Sequence, residues 1–308
     1  MRKNLLVTGL TGFVGRHLQQ LFATDPSATA DWRLLQPESR CDLLDSAALA
    51  AMLERQRPDA VLHLAGQTFV PEALRDPART IQINLLGTLN LLQGLKHSGF
   101  NGTFLYVSSG DVYGQVAEDA LPISETLTPQ PRNPYAVSKA ATELLCRQWS
   151  YIEPWRIVVA RSFNHIGAGQ GESFVVSNMA RQIVRVRRGL QAPRLEVGDI
   201  DVSRDFLDVQ DVLAAYLLLL QKGRNGEVYN LCSGRERRVR ELIVEMASLA
   251  EVDVELVQDP ARMRRAEQRR VVGSSDKLQR ETGWKPAVNF TETLQRVLSD
   301  WDARERPQ

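Results

Sequence analysis

At 308 residues, 43% of them hydrophobic, the chain is long enough for one core domain and a smaller second lobe. Its 38 basic and 37 acidic side chains nearly cancel, leaving +1, so no global field recruits nucleic acid or an anionic membrane and any anion site must be local. No run approaches the ~20 apolar residues of a membrane span. Three separated cysteines, Cys41, Cys146 and Cys232, show no metal-ligand spacing, which points to a reduced, cytoplasmic protein without a metal. The stretch from Met1 to Leu5 begins like a signal peptide, but Gly9, Thr11 and Gly12 interrupt the apolar run before it reaches signal length.

In chain order, Leu5-Leu6-Val7 reads as a strand, Thr8 to Gly15 as a glycine turn, and Val14, Leu18, Leu21 and Phe22 as one face of a helix. Gly9, Gly12 and Gly15 leave room for a phosphate, and the helix's free N–H groups and positive dipole end would face a pyrophosphate. Alone, this spacing also suits a tight turn with no ligand. Trp32 to Gln36 reads as a second strand and Arg40 to Leu43 as a short third edge strand. No acid ends the second strand to grip a ribose 2′-OH; Gln36 and Pro37 stand there, with Glu38 close by and Arg33 and Arg40 within reach of a 2′-phosphate. The expectation is NADP(H), with NAD(H) as the alternative.

Helices follow at Leu49 to Gln56 and Pro77 to Leu95, and strands at Ala60 to Gly66 and Thr103 to Val107, the latter running into Ser108-Ser109-Gly110-Asp111. A proline-rich turn precedes a helix from Tyr135 to Trp149, and Arg156 to Ala160 is the next strand. This alternation predicts an α/β fold, a doubly wound parallel sheet of Rossmann type with its ligands outside the carboxyl ends of the strands. Beyond Arg161 the pattern changes. Residues 164–205 mix glycine turns with one helix around Met179 to Val186, and 235–308 hold two helical stretches. Val209 to Leu220 reads as a helix, and Glu227 to Leu231 as a strand rejoining the sheet. A dinucleotide-binding domain of 1–163 plus about 206–232 is therefore expected, with a smaller substrate lobe of about 164–205 plus 233–308.

Tyr135 and Lys139 lie four residues apart, on one side of a helix. A lysine charge beside a tyrosine favours the phenolate, lowering its pKa from ~10 and making it a proton donor and acceptor. Ser109, at a strand tip, is placed to bond the same substrate oxygen. Taken alone, Tyr-x-x-x-Lys reads equally well as a surface helix pair. His17, His63 and His97 read as structural.

Glycine turn, Ser109 strand and Tyr135–Lys139 helix together resemble the extended short-chain dehydrogenase/reductases that act on nucleotide sugars. The resemblance implies that Gly9, Gly12, Phe13, Val14 and Gly15 hold the pyrophosphate and Asp42 and Leu43 the adenine. Leu64, Ala65, Gly66, Ser108 and His165 would line the rest of the cofactor, with Lys139 also on the nicotinamide ribose. Ser109, Tyr135 and Lys139 would be the catalytic set. Segments such as Leu64 to Thr68, Asn84 to Leu89, Phe163-Asn164-His165, Gly171 to Val175, Arg204-Asp205, Arg264 to Glu267 and Gly283 to Pro286 resemble GDP-mannose 4,6-dehydratases. That likeness assigns Gln67, Ser109, Asp111, Asn164, Val175, Arg204, Arg264 and Glu267 to the nucleotide sugar, the two arginines to phosphate and Glu267 to the guanosine ribose.

A departure bears on the reaction. Sugar 4,6-dehydratases carry a glutamate two residues beyond the serine or threonine; here that position is Asp111. A carboxylate withdrawn by ~1.5 Å is badly placed to remove the C5 proton, since small misplacements cost ~10²-fold in rate. What remains is hydride transfer to a ketone, and the subgroup resembled is the GDP-6-deoxy-D-lyxo-hexos-4-ulose reductases, which convert a GDP-4-keto-6-deoxy-mannose to GDP-D-rhamnose, a polysaccharide precursor. The rival readings are a dehydratase or 4-epimerase and, in another class, a non-catalytic nucleotide-sensing protein. The resemblance also implies a homodimer formed through the helices carrying Asn84 and Tyr135.

Overall fold

The computed structural model describes residues 2–36, 42–259 and 268–306. From the amino end run β1 (Lys3–Thr8), α1 (Phe13–Thr24), β2 (Trp32–Leu34), α2 (Ser46–Gln56), β3 (Ala60–His63), α3 (Val70–Arg75), α4 (Pro77–Ile81), α5 (Gly87–His97), β4 (Thr103–Ser109), α6 (Pro134–Ile152) and β5 (Arg156–Ser162). The chain then leaves for β6 (Asn164–Ile166), α7 (Val175–Arg187), β7 (Arg194–Val197) and β8 (Ser203–Asp208), and returns in α8 (Val209–Lys222) and β9 (Val228–Leu231). It closes with β10 (Glu236–Arg238), α9 (Val239–Leu249), β11 (Glu255–Gln258), α10 (Asp276–Thr282) and α11 (Phe290–Arg304).

Six strands form one sheet in the order β2-β1-β3-β4-β5-β9, every neighbour parallel. The order reverses beside β1, opening a crevice above the carboxyl ends of β1, β3 and β4. Alternation along each strand builds two cores. Leu5, Val7, Ala60, Leu62, Leu105, Val158 and Ala160 point to the face covered by α1, α8 and α10. Leu6, Val61, Phe104, Tyr106, Ile157 and Val159 point to the face covered by α2, α5 and α6. A third core belongs to the lobe, where α7, α9 and α11 bury Ile183, Met246 and Leu294 against β7 and β8. Within 233–308 the packing is mixed, because α10 and Trp284 join the sheet's first core while α9 and α11 build the lobe.

Three sequence expectations change. Asp42 and Leu43 form no edge strand: Asp42 turns the chain, its carboxylate accepting from Leu44 N and its carbonyl from Asp45 N, and Asp45 then caps α2. Arg40 and Cys41 lie outside the described residues. Among the described residues beyond 235 there are three helices rather than two, the short α10 ending at Gly283 with φ 81°. The long helix expected from Pro77 is interrupted by a π turn, Gln82–Leu86, between α4 and α5.

Candidate active site

The glycine turn is built for close approach. Gly9 has φ 79°, and a Cβ there would lie 2.8 Å from Ala65 N; a Cβ on Gly15 would lie 2.4 Å from Gly9 O, so the turn, α1 and the loop after β3 interlock. Gly12 starts α1 and no side chain caps its first turn. A bare main-chain cradle at a helix N-terminus suits the pyrophosphate of a dinucleotide. Below it, Thr8 Oγ1 meets His63 Nδ1 at 2.7 Å and Thr88 Oγ1 meets His63 Nε2 at 2.9 Å. Burial pushes His63 down to about 3, so the imidazole stays neutral and structural. Leu43 is buried beneath Gly87, and Asp42 stays exposed beside it.

Asn84 is a site residue to which the sequence reading gave no role. Buried in the π turn, its amide donates to Gln67 O (2.9 Å) and Ser138 Oγ (2.8 Å) while its Oδ1 accepts from Gln67 N (2.8 Å). It bolts the loop after β3 to α6. The available signal was an amide inside the apolar run Ile83-Asn84-Leu85-Leu86, since π turns often mark functional sites.

Ser109 ends β4 and Tyr135 and Lys139 occupy the opening turns of α6, whose start is set by the Asn133 cap on Ala136 N (2.8 Å) and by Pro134. The structure brings the three together, all buried. Lys139 Nζ donates to Val107 O at 2.8 Å and stands 5.9 Å from the Tyr135 ring centroid. Burial lowers Lys139 to about 8. The Tyr135 phenol contradicts the expected depression: burial and then the Asp111 charge push it above its ordinary value, against the hydrogen bond from Ser109. Desolvation and the like charge of Asp111 both penalise the phenolate, and together they outweigh the Ser109 hydrogen bond. Tyr135 therefore holds its proton at neutral pH.

The other expected residues divide. Asp111 stands in the short turn after β4, its N–H donating to Ser109 Oγ at 3.2 Å. Though open to solvent, it lies between cleft walls that raise its carboxyl by desolvation, with Arg204 of β8 pulling it back down. Arg204 donates to Ser203 O at 2.8 Å and faces Asp111 electrostatically from the lobe side. Asn164 is exposed at the start of β6 and Val175 at the start of α7. The His165 ring stacks on Phe13 of the glycine turn, 6.2 Å between centroids, and burial lowers its pKa.

Two residues point elsewhere. The Ser108 hydroxyl donates to the buried Glu143 at 2.5 Å, on the other face of β4 from Ser109, so its side chain does not enter the cleft. The Gln67 side chain folds back onto Phe69 and Thr80. Arg264 and Glu267 lie outside the described residues.

A family model described as GDP-mannose 4,6 dehydratase matches residues 36–297. Over 308 residues, all of both chains, the sequence is 63% identical to GDP-6-deoxy-D-mannose reductase of Pseudomonas aeruginosa. It is 29% identical to GDP-6-deoxy-D-talose 4-dehydrogenase of Aggregatibacter actinomycetemcomitans, over 89% of each chain. Among solved structures, RMD from Pseudomonas aeruginosa complexed with NADPH superposes with a TM-score of 0.94 at 62% identity, covering 98% of this chain and 99% of that one. UDP-glucose 4-epimerase of Thermus thermophilus in complex with NAD gives 0.82 at 29% identity, over 97% and 98%.

Proposed function

The chain belongs to the GDP-mannose 4,6-dehydratase family, and from that premise we propose that it is an NADPH-dependent reductase of the C4 ketone of GDP-4-keto-6-deoxy-mannose, forming GDP-D-rhamnose. The observation that carries this reading is the buried Tyr135 phenol beside Ser109 and Lys139, with Asp111, rather than a glutamate, two residues beyond Ser109. A dehydratase must abstract a proton at C5; this site is arranged to give one at the C4 oxygen. The full-length likeness to the Pseudomonas reductase, and the NADPH of its solved counterpart, favour the same substrate and cofactor.

Bound NADPH supplies the hydride that reaches C4. The turn Gly9 to Gly15, with Phe13 and Val14 at the start of α1, holds the pyrophosphate. Asp42 and Leu43 flank the adenine, and Leu64 to Gly66 and His165 shape the wall further in; Arg33, expected at a 2′-phosphate, instead lies mid-β2 opposite Asn4, its Nε donating to Asn4 Oδ1 at 2.9 Å, away from the carboxyl ends of the strands. Ser109 donates a hydrogen bond to the ketone oxygen and Tyr135 transfers its proton as the alkoxide forms. The Lys139 ammonium then offsets the phenolate left behind, a fixed charge in a dry site where such groups act most strongly. Across the cleft, Arg204 takes diphosphate charge, and Asn164, Val175 and Asp111 border the sugar. Arg264 and Glu267 are assigned to phosphate and the guanosine ribose. The sheet domain thus takes the cofactor, the lobe the GDP-sugar.

We assign the active form to a homodimer. Val137, Leu144 and Tyr151 are exposed seven residues apart along α6, with Ile152 beside Tyr151 and with Ile81 and Leu86 exposed on α4 and the π turn, which pack against α6. Such an apolar stripe suits a second copy of the same helices. An NADPH enzyme with buried free thiols at Cys146 and Cys232 belongs to a reducing compartment, the cytoplasm.

Feeding the protein GDP-mannose and, separately, GDP-4-keto-6-deoxy-mannose with NADPH tests the reading. NADPH consumption with the keto sugar alone is expected, with GDP-D-rhamnose as product. Turnover of GDP-mannose to the keto sugar would make it a dehydratase instead.

A further inference from the structure

Ser108, Glu143 and Arg161 form a buried cluster that no step above employs. Glu143 lies one turn beyond Lys139 and two beyond Tyr135 on α6, all three on its buried face. Its carboxylate accepts from the Arg161 guanidinium of β5, Nε at 3.0 and 3.1 Å and Nη2 at 2.7 Å, and from Ser108 Oγ of β4 at 2.5 Å. Ser108 and Arg161 are themselves neighbours in the β4–β5 register. The guanidinium covers the Tyr113 ring, 4.7 Å from its centroid, and Tyr113 ends the short turn that carries Asp111. One ion pair therefore touches the strand of Ser109, the helix of Tyr135 and Lys139, and the turn of Asp111.

Stability alone is a weak reason for such a pair. Desolvating two charges offsets most of their attraction, and apolar side chains of similar volume fill such sites at least as well. Arg161 Nη1 is also buried with no hydrogen-bond partner, a defect that a purely structural core avoids.

We propose that the Glu143–Arg161 pair is a positioning element for the ketone reduction: it fixes the seat of α6 against β4 so that Tyr135 and Ser109 reach one oxygen, and it sets an anion beside the Lys139 ammonium. The proposal rests on the reductase reading above. Facing Lys139 are Tyr135, Glu143 and Cys146 along α6, Tyr106 from β4 at 5.0 Å, and His63 from β3. Burial keeps Cys146 and both tyrosines protonated and His63 neutral. Among these described groups, Glu143 supplies the negative charge at neutral pH. Without it the first of the influences that oppose the desolvation of Lys139 is gone, the Val107 carbonyl remaining, and the ammonium loses its proton at lower pH.

Two variants test this, Glu143→Gln and the apolar double variant Glu143→Leu with Arg161→Met. Expected for Glu143→Gln are a kcat lower by about tenfold, KM for the keto sugar and NADPH affinity within about twofold, and an alkaline limb displaced downward by about half a pH unit or more. The double variant is expected to melt at or above the wild-type temperature while keeping the low kcat and the displaced limb. A well-folded double variant with wild-type kcat and pH profile overturns the proposal, and it decides the matter even where Glu143→Gln fails to fold. An NMR titration of the Lys139 ammonium separates the two readings, since it needs no turnover: an unmoved midpoint in the variants refutes the positioning role, whereas a wild type that never reduces the keto sugar refutes the reductase.

Discussion

Around the glycine turn the cleft wall is main chain: Gly9 and Gly15 pass within a methyl group's width of Ala65 and of each other, and α1 opens uncapped above them. On the lobe side the wall is side chain. Arg204 from β8 faces Asp111 electrostatically, while Asn164 is exposed on β6 and Val175 on α7, each on an element separate in sequence. A backbone cradle recognises any dinucleotide pyrophosphate and changes only if the chain cannot close. A side-chain wall is set residue by residue, so related proteins can share the cradle and differ in the sugar they accept.

The contrast predicts effects of graded size. Gly15→Val should abolish NADPH binding altogether, since a Cβ 2.4 Å from Gly9 O forces the turn open; isothermal titration checks it, and retained binding would mean that the cradle is not main-chain built. Tyr135→Phe should lower kcat by about 10³-fold, within the range for a lost general acid, yet leave NADPH affinity unchanged in a fluorescence titration. Arg204→Ala should act on the other wall only, raising KM for the GDP-sugar by about 10- to 100-fold through a lost charge-assisted bond, with NADPH binding intact. The smallest effect is with pH. Lys139 loses its charge as pH rises through about 8, so kcat should fall by about twofold between pH 7 and 8 and continue downward, with no acid limb from Tyr135, which is protonated throughout.

The two walls also differed in how far the sequence disclosed them. Glycine spacing and strand alternation are local patterns, and the sheet and its order of elements follow from them, whereas Ser109, Tyr135 and Lys139 were singled out as a set by likeness. The phenol's acidity was misjudged because burial is a property of the assembled cleft, and no local pattern reports it. Ser108 is a different case: adjacent residues of a strand face opposite sides, so the Ser108 and Ser109 side chains part, and the alternation already said so. The turn at Asp42 depended on its carboxylate capturing Leu44 N, a side-chain bond that competes with strand formation. Arg204 was found by likeness alone; its opposition to Asp111 needed coordinates.

The π turn at Gln82–Leu86 holds one residue more than regular winding would use. Excising a neighbour such as Leu85 would restore ordinary pitch and swing Asn84 by ~100° about the helix axis. Its bonds to Gln67 and Ser138 would part at a stroke, while circular dichroism would register almost nothing. Length at this point is thus as binding a constraint as any side chain, and insertions or deletions tolerated elsewhere on the surface should be refused here.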